Sequence, residues 1–341
     1  MIRRYNAVGF TSITDAAQDP SGLRQYLDLK KQGRLTARVL VNIRTDVTGS
    51  RQEIVEKLKN LGICTGFGDS MVRVGPLKIS IDGGILTGTA YMRQPWGIRA
   101  KEIYGFDDPT YGGVLNYNLK QLVSIVSAAD ELGWKFTAHS TGGGGVDILL
   151  DTFEGIEREM PQRDRRFSII HGNFYTPEAI KRAAKLGVIA DCQPAWFYKD
   201  ADAMKQILGD ERVRWFLPLK SMIEGGMIPN GGSDHMVIFD SNTSINPYNP
   251  FLSIWVVITR KTERGSVIVP EEAISREDAL RMYTIHNAYG SFEEDIKGSI
   301  EPGKLADMVI LSDDILTCPV DKIRDIKVDL TLLGGLVVYQ R

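Results

Sequence analysis

Short apolar runs alternate with amphipathic stretches along almost the whole chain, and that alternation limits its fold more than any other feature. The apolar runs read as strands over Val8–Thr14, Ala37–Ile43, Leu77–Asp82, Lys135–His139, Phe167–His171, Val188–Gln193 and Pro229–Asp234. Between them, "DPSGLRQYLDLKKQG", "SRQEIVEKLKNLG", "NLKQLVSIVSAADELG" and "TPEAIKRAAKLG" show helical spacing. Each ends at a glycine, which takes the left-handed conformation that stops a helix. Strand and helix in turn imply a parallel sheet with right-handed crossovers. Seven such strands are one short of a (β/α)8 barrel. After about Gly290 the pattern changes. "GSIEPGKLADMVILSDDIL" and "DLTLLGGLVVYQR" read as strands joined by turns, too short a tail to be stable alone. The expected division is a barrel over residues 1–290 and strands of a small β-subdomain over 291–341.

One strand carries an anomaly. In "VGPLKISIDGG" the residues Leu77, Ile79 and Ile81 share a face, and Lys78 lies on the other. On an exposed edge the lysine would mean nothing. Inside a barrel it is costly, and costly polar groups usually have a function. Composition removes some partners. A net charge of −2 gives no reason to expect nucleic acid or an anionic membrane. Three scattered cysteines, Cys64, Cys192 and Cys318, argue against a disulfide framework and fit a reducing compartment. No apolar run is long enough to span a bilayer, and "MIRRYNAVGFTSITDAAQ" has no signal-peptide core. The expected location is cytoplasmic.

The remaining polar residues cluster by position. His139 ends "WKFTAH", His171 ends "RFSIIH", and Asp234 ends "IPNGGSD". With Lys78, four strands present a nitrogen or a carboxylate at or near their C-terminal ends, the rim where barrel enzymes keep their chemistry. Each residue alone has a structural explanation, such as a helix cap for Asp234. Together, two histidines, an aspartate and a strand lysine are ligand types of a hydrolytic metal centre. His286, in "MYTIHNAYG", reads as a packing residue, and His235 as a structural or supporting one. "TGGGGVD" lacks the lysine of a phosphate-binding loop and reads instead as a mobile active-site loop.

The segments "LKISIDGG", "FTAHSTGG", "RFSIIHGNF", "GGSDH" and "GSIEPGKLADMVIL", in that order, resemble the amidohydrolase superfamily, in its YtcJ-like branch. The resemblance implies a TIM-type (β/α)8 barrel of the metal-dependent hydrolase kind with a partial C-terminal β-sandwich. It implies that Lys78 is carboxylated by CO2 to a carbamate bridging two metals, that His139 and His171 bind the more exposed one, and that Asp234 is both ligand and catalytic acid–base. The implied cofactor is a divalent metal, Zn first with Mn or Fe as alternatives, and the implied substrate is a small amide-type molecule. The family's His-x-His pair has no counterpart here, since no histidine precedes His139. The expectation is a chain lacking its first strand, with a signal peptide, if any, in the absent part. At most one metal would then bind tightly and hydrolysis would be impaired. A missing N-terminal segment or a second copy is the implied protein partner. Arg93 and Trp96, and Gln193 and Trp196 in "CQPAWFY", are candidate substrate contacts, with simple loop packing as the competing explanation. Two other readings stand beside this one: an inactive metal-binding remnant or half of a split enzyme, and a Schiff-base aldolase using Lys78.

Overall fold

The computed structural model describes residues 1–161, 164–236 and 238–341. A short helix α1 (Ile2–Asn6) leads into β1 (Ser12–Gln18), α2 (Pro20–Lys31), β2 (Arg38–Ile43), α3 (Arg51–Asn60) and β3 (Val72–Ser80). There follow α4 (Ala100–Tyr104), α5 (Leu119–Glu131), β4 (Phe136–Ser140), α6 (Gly143–Glu159), β5 (Ser168–His171), α7 (Pro177–Leu186) and β6 (Ile189–Cys192). The strand series closes with α8 (Pro194–Val213), α9 (Leu219–Glu224) and β7 (Ile228–Gly231), before α10 (Pro250–Thr259), α11 (Arg276–Tyr283) and α12 (Ile285–Gly290).

The seven strands form one curled parallel sheet in sequential order, β1 to β7. Among the described residues β1 and β7 each pair with a single neighbour, so the sheet does not close into a complete barrel. The expected helices form where local signals place them. Ser50 and Glu53 make a reciprocal capping box on α3, Asn118 and Gln121 make another on α5, and Gly187 stops α7 at φ 64°. The first strand starts later than Val8–Thr14. Asn6 binds the carbonyls of Phe10 and Thr36 at 2.9 Å, and Gly9 turns the chain at φ 95°, so residues 7–10 are spent reversing direction. Leu77, Ile79 and Ile81 are buried in the apolar core on one face of β3.

A second, antiparallel sheet consists of β8 (Met308–Leu311), β9 (Val328–Leu333) and β10 (Leu336–Gln340). Gly334 and Gly335, both at positive φ, form the two-residue turn between its last strands. It is tied to the larger sheet by Thr331, whose hydroxyl donates to the Asn6 carbonyl at 2.7 Å. A buried bidentate pair adds a second tie: Arg38 Nε and a terminal nitrogen meet the Asp307 carboxylate at 2.6 and 2.9 Å.

Candidate active site

β3 puts Lys78 on the face away from Leu77 and Ile79, beside Thr137 of β4 in the register. The lysine is only 5% exposed. Among the described residues its amine has neither a hydrogen bond nor an ion pair within 4 Å. Burial pulls its pKa down to about 8, although the charges of Asp191 and Asp234 favour the ammonium; Arg44 opposes it.

His139 and His171 end up with ring centroids 4.5 Å apart. His139 pairs with Ile170 in the register, so simple alternation along β5 would turn His171 to the opposite face. His171 instead sits at φ 76°, a left-handed conformation costly for a side-chain residue, and this departure at the strand end returns its ring to His139. Each ring has one nitrogen committed. His139 Nε2–H donates to the Gly83 carbonyl at 3.0 Å, and His171 Nδ1–H donates to Gln193 Oε1 at 2.6 Å. Nδ1 of His139 and Nε2 of His171 are therefore the nitrogens with free lone pairs. Burial, reinforced by the charge of Lys78, holds both imidazoles neutral: His139 falls to about 4 and His171 well below its usual value. Neutral imidazole is the form that binds metal.

Asp234, just beyond β7, is also held at positive φ, 51°. Burial pushes its carboxyl up to about 6, with Lys78 pulling the other way. Asn246 donates to its main-chain carbonyl at 2.5 Å. Among the described residues no three of the His, Cys, Asp and Glu side chains are close enough to hold an ion, so Asp234 does not complete a ligand set with the two histidines. Lys78 is the group common to both halves of the site: its charge acts on His139 and His171 on one side and on Asp191 and Asp234 on the other.

Two further acidic residues stand beside these groups. Asp191, on β6, is raised to about 6 by burial and receives Gln193 Nε2 on its carbonyl at 2.9 Å. Its signal was the same as that of Lys78, a charged residue inside an apolar strand. Asp82 accepts the N–H groups of Thr141 at 2.9 Å and Gly142 at 2.8 Å, and lies 3.6 Å from His139 Nε2. It thereby fixes the start of α6 beside the site.

Several expected contacts are placed differently. Arg93 grips Asp147 through two nitrogens at 2.6 and 2.7 Å and donates to the Phe174 carbonyl. Trp96 is 1% exposed, donates to the Ala90 carbonyl and meets Tyr104 edge-on, so it packs the loop. Gln193 and Trp196 do reach the site, but their partner is His171, bonded by one and stacked at 4.3 Å by the other. The glycine run is not a free loop either. A Cβ on Gly142 would lie 2.0 Å from the Tyr91 carbonyl oxygen, and one on Gly145 would lie 2.3 Å from Ser140 Oγ. These glycines admit close packing at the start of α6. His286 donates Nδ1–H to the Pro229 carbonyl, and His235 is held between the Tyr5 hydroxyl and the Ile238 carbonyl.

The curled parallel sheet thus carries two imidazoles and a buried lysine at or near the C-terminal ends of its strands. The amidohydrolase family profile matches residues 1–339, and the chain belongs to that family, in its YtcJ-like branch. It is 28% identical over 234 residues to N-substituted formamide deformylase of Arthrobacter pascens, covering 68% of this chain and 41% of that one. To YtcJ of Bacillus subtilis (strain 168) it is 26% identical over 273 residues, 79% of this chain and 48% of the other. The chain thus spans less than half the length of these relatives. A metal-dependent hydrolase from Pyrococcus furiosus, itself uncharacterized, has the same fold with a TM-score of 0.72 at 24% identity, over 93% of this chain and 59% of that one.

Proposed function

We propose that this chain carries the centre of a metal-dependent hydrolase acting on amide-type carbon–nitrogen bonds, with N-substituted formamides the first substrate class to test. The observation that carries the reading is Lys78, a buried amine without a partner among the described residues, whose charge acts on two neutral imidazoles and two carboxyl groups. The donor set fits one divalent ion: Nδ1 of His139, Nε2 of His171, and Lys78 once its neutral amine has added to CO2, losing one proton to give a carbamate with two oxygens. A divalent ion there supplies Lewis acidity, lowering the pKa of a water and polarising the substrate carbonyl. We read Zn as the ion, with Mn or Fe as alternatives.

The protein's own part follows from the contacts. Gln193 fixes the tautomer of His171, and Trp196 stacked on that ring excludes water from one side. Gly83 does the same for His139. Asp234, raised to about 6, takes a proton from the attacking water on its carboxylate and returns it to the leaving nitrogen. Among the described residues a second ion would find no further imidazole, only the carbamate and the carboxylates of Asp191 and Asp234, so we expect one tightly held ion per chain and slow hydrolysis by this chain alone. We also assign residues 1–290 to the catalytic unit, built on the curled seven-stranded sheet, and 291–341 to one layer of a β-sandwich. The exposed Ile310, Leu336 and Val337 of the small sheet support that layer assignment.

The test is formate release from N-substituted formamides by the zinc-loaded chain. It should stop on chelation and in His171→Ala, and fall by roughly 100-fold or more in Asp234→Asn. Release that survives chelation counts against the proposal, and borohydride trapping of a carbonyl compound on Lys78 would favour Schiff-base chemistry instead.

A further inference from the structure

A cavity of 320 Å³, lined by Leu86, Lys199, Asp200, Thr243, Ile245 and Asn246, lies beside the site. Its walls come from the segments that follow β3, β6 and β7, the strands that carry or lead to Lys78, Asp191 and Asp234. Asn246 joins it to Asp234 directly, through the bond to that residue's carbonyl. The volume suits a small organic ligand, and the half-exposed Leu86 and Ile245 give the mouth an apolar edge.

Asp200 is the odd member of this lining. It is only 8% exposed, and among the described residues it accepts no hydrogen bond and forms no ion pair. The neighbouring cation, Lys199, is committed to Glu263. Asp200 stands four residues after Trp196 on α8, on the same helix face and about 6 Å further along. Trp196 is the residue stacked on His171, and its indole N–H is buried without a partner among the described residues. A carboxylate largely desolvated at a cavity wall, with no protein donor among the described residues, is costly to keep charged. Placed one helical turn from Trp196 and facing a ligand-sized cavity, it has an obvious partner in a bound cation.

We propose that Asp200 is a specificity residue that binds a protonated amine on the substrate, so that the substrate class is an amide bearing an ammonium group on a short apolar spacer. This rests on the hydrolase reading above and deepens it. The spacer runs along Leu86 and Ile245, and the ammonium donates to the Asp200 carboxylate. Burial raises Asp200 to about 7, with the Lys199 charge opposing that rise and Glu263 adding to it; Tyr104 is the other titratable neighbour. Cation binding therefore strengthens as pH rises through that value and weakens below it.

Binding, rather than turnover, is the readout, so that a failed hydrolase assignment cannot be mistaken for a failure here. Monoformyl putrescine and N-pentylformamide, which replaces the ammonium by a methyl group, are titrated calorimetrically into the full chain. Wild type should bind the cationic probe about 10-fold more tightly or better, the range of a charge-assisted hydrogen bond. Asp200→Asn should bring the two within about 2-fold while leaving N-pentylformamide unchanged. The wild-type preference should also shrink as the pH is lowered from one unit above to one unit below about 7, a measurement that stands even if the variant does not fold. Equal affinities in wild type, no binding of either probe, a preference that survives Asp200→Asn, or a preference flat with pH would each overturn the proposal.

Discussion

Replacing Lys78 by methionine tests the physical basis of the site without metal or substrate. Methionine keeps an unbranched apolar stem and removes the amine. Burial draws the amine from 10.5 down to about 8 even with Asp191 and Asp234 nearby. Each pH unit of such a displacement is worth about 1.4 kcal/mol. At neutral pH the folded chain therefore carries a protonated amine at a penalty of at most roughly 3 kcal/mol. Between about 8 and 10.5 the unfolded chain holds a proton that the folded chain has lost, so this group makes stability rise with pH across that window. Below the window the penalty is felt in full. Lys78→Met should therefore be more stable than wild type by about 1–3 kcal/mol at neutral pH, with the advantage shrinking as pH climbs toward 10.5. Urea unfolding followed by circular dichroism, at neutral pH and again within the window, measures both. A variant less stable than wild type at neutral pH, or a difference independent of pH, would refute the claim that the amine is buried without a partner.

Arg38→Met leaves the Asp307 carboxylate buried without its cation, held among the described residues only by the Gly334 N–H, and should lower unfolding free energy by about 3–5 kcal/mol, part of it recovered when Asp307→Leu is added. If the double variant is no better than the single one in urea unfolding, the pair is not the tie between the two sheets described above. Gln193→Leu removes the acceptor for His171 Nδ1–H and should weaken zinc binding about 10- to 100-fold, with Gln193→Glu restoring it. Competition with a chromophoric chelator reads this out, and unchanged affinity in the leucine variant would mean that Gln193 does not position the ring. Gly142→Ala forces a Cβ against the Tyr91 carbonyl and should lower stability by about 1–3 kcal/mol; an unshifted melting temperature would show that the start of α6 is looser than described.

The strands and helices were legible where one periodicity dominated. Leu77, Ile79 and Ile81 against Lys78 revealed both a strand and its anomaly, because a parallel strand covered by helices is apolar and a lysine stands out in it. The start of β1 was not legible: Val8 and Phe10 look like strand residues, and only the tertiary bonds of Asn6 to Phe10 and Thr36 show that the chain is still turning there. His139 and His171 were found by their place at strand ends, yet nothing local announces the left-handed backbone that brings His171 round. Arg93 looked available for a ligand because its partner Asp147 lies far along the chain, on α6. Asp191 and Asp200 were missed for opposite reasons. Asp191 carries the lysine's own signal in a weaker strand, whereas Asp200 sits among ordinary helix residues in "YKDADAMK" and differs only in being largely buried at a cavity wall.

The central claim is that His139, His171 and Lys78 together hold a divalent ion. Zinc retained per chain after exhaustive dialysis, measured for wild type and for His139→Ala with His171→Ala, tests it most directly. Wild type should keep about one equivalent and the double variant close to none. An equivalent that persists in the double variant would contradict it, because the ion would then be held elsewhere.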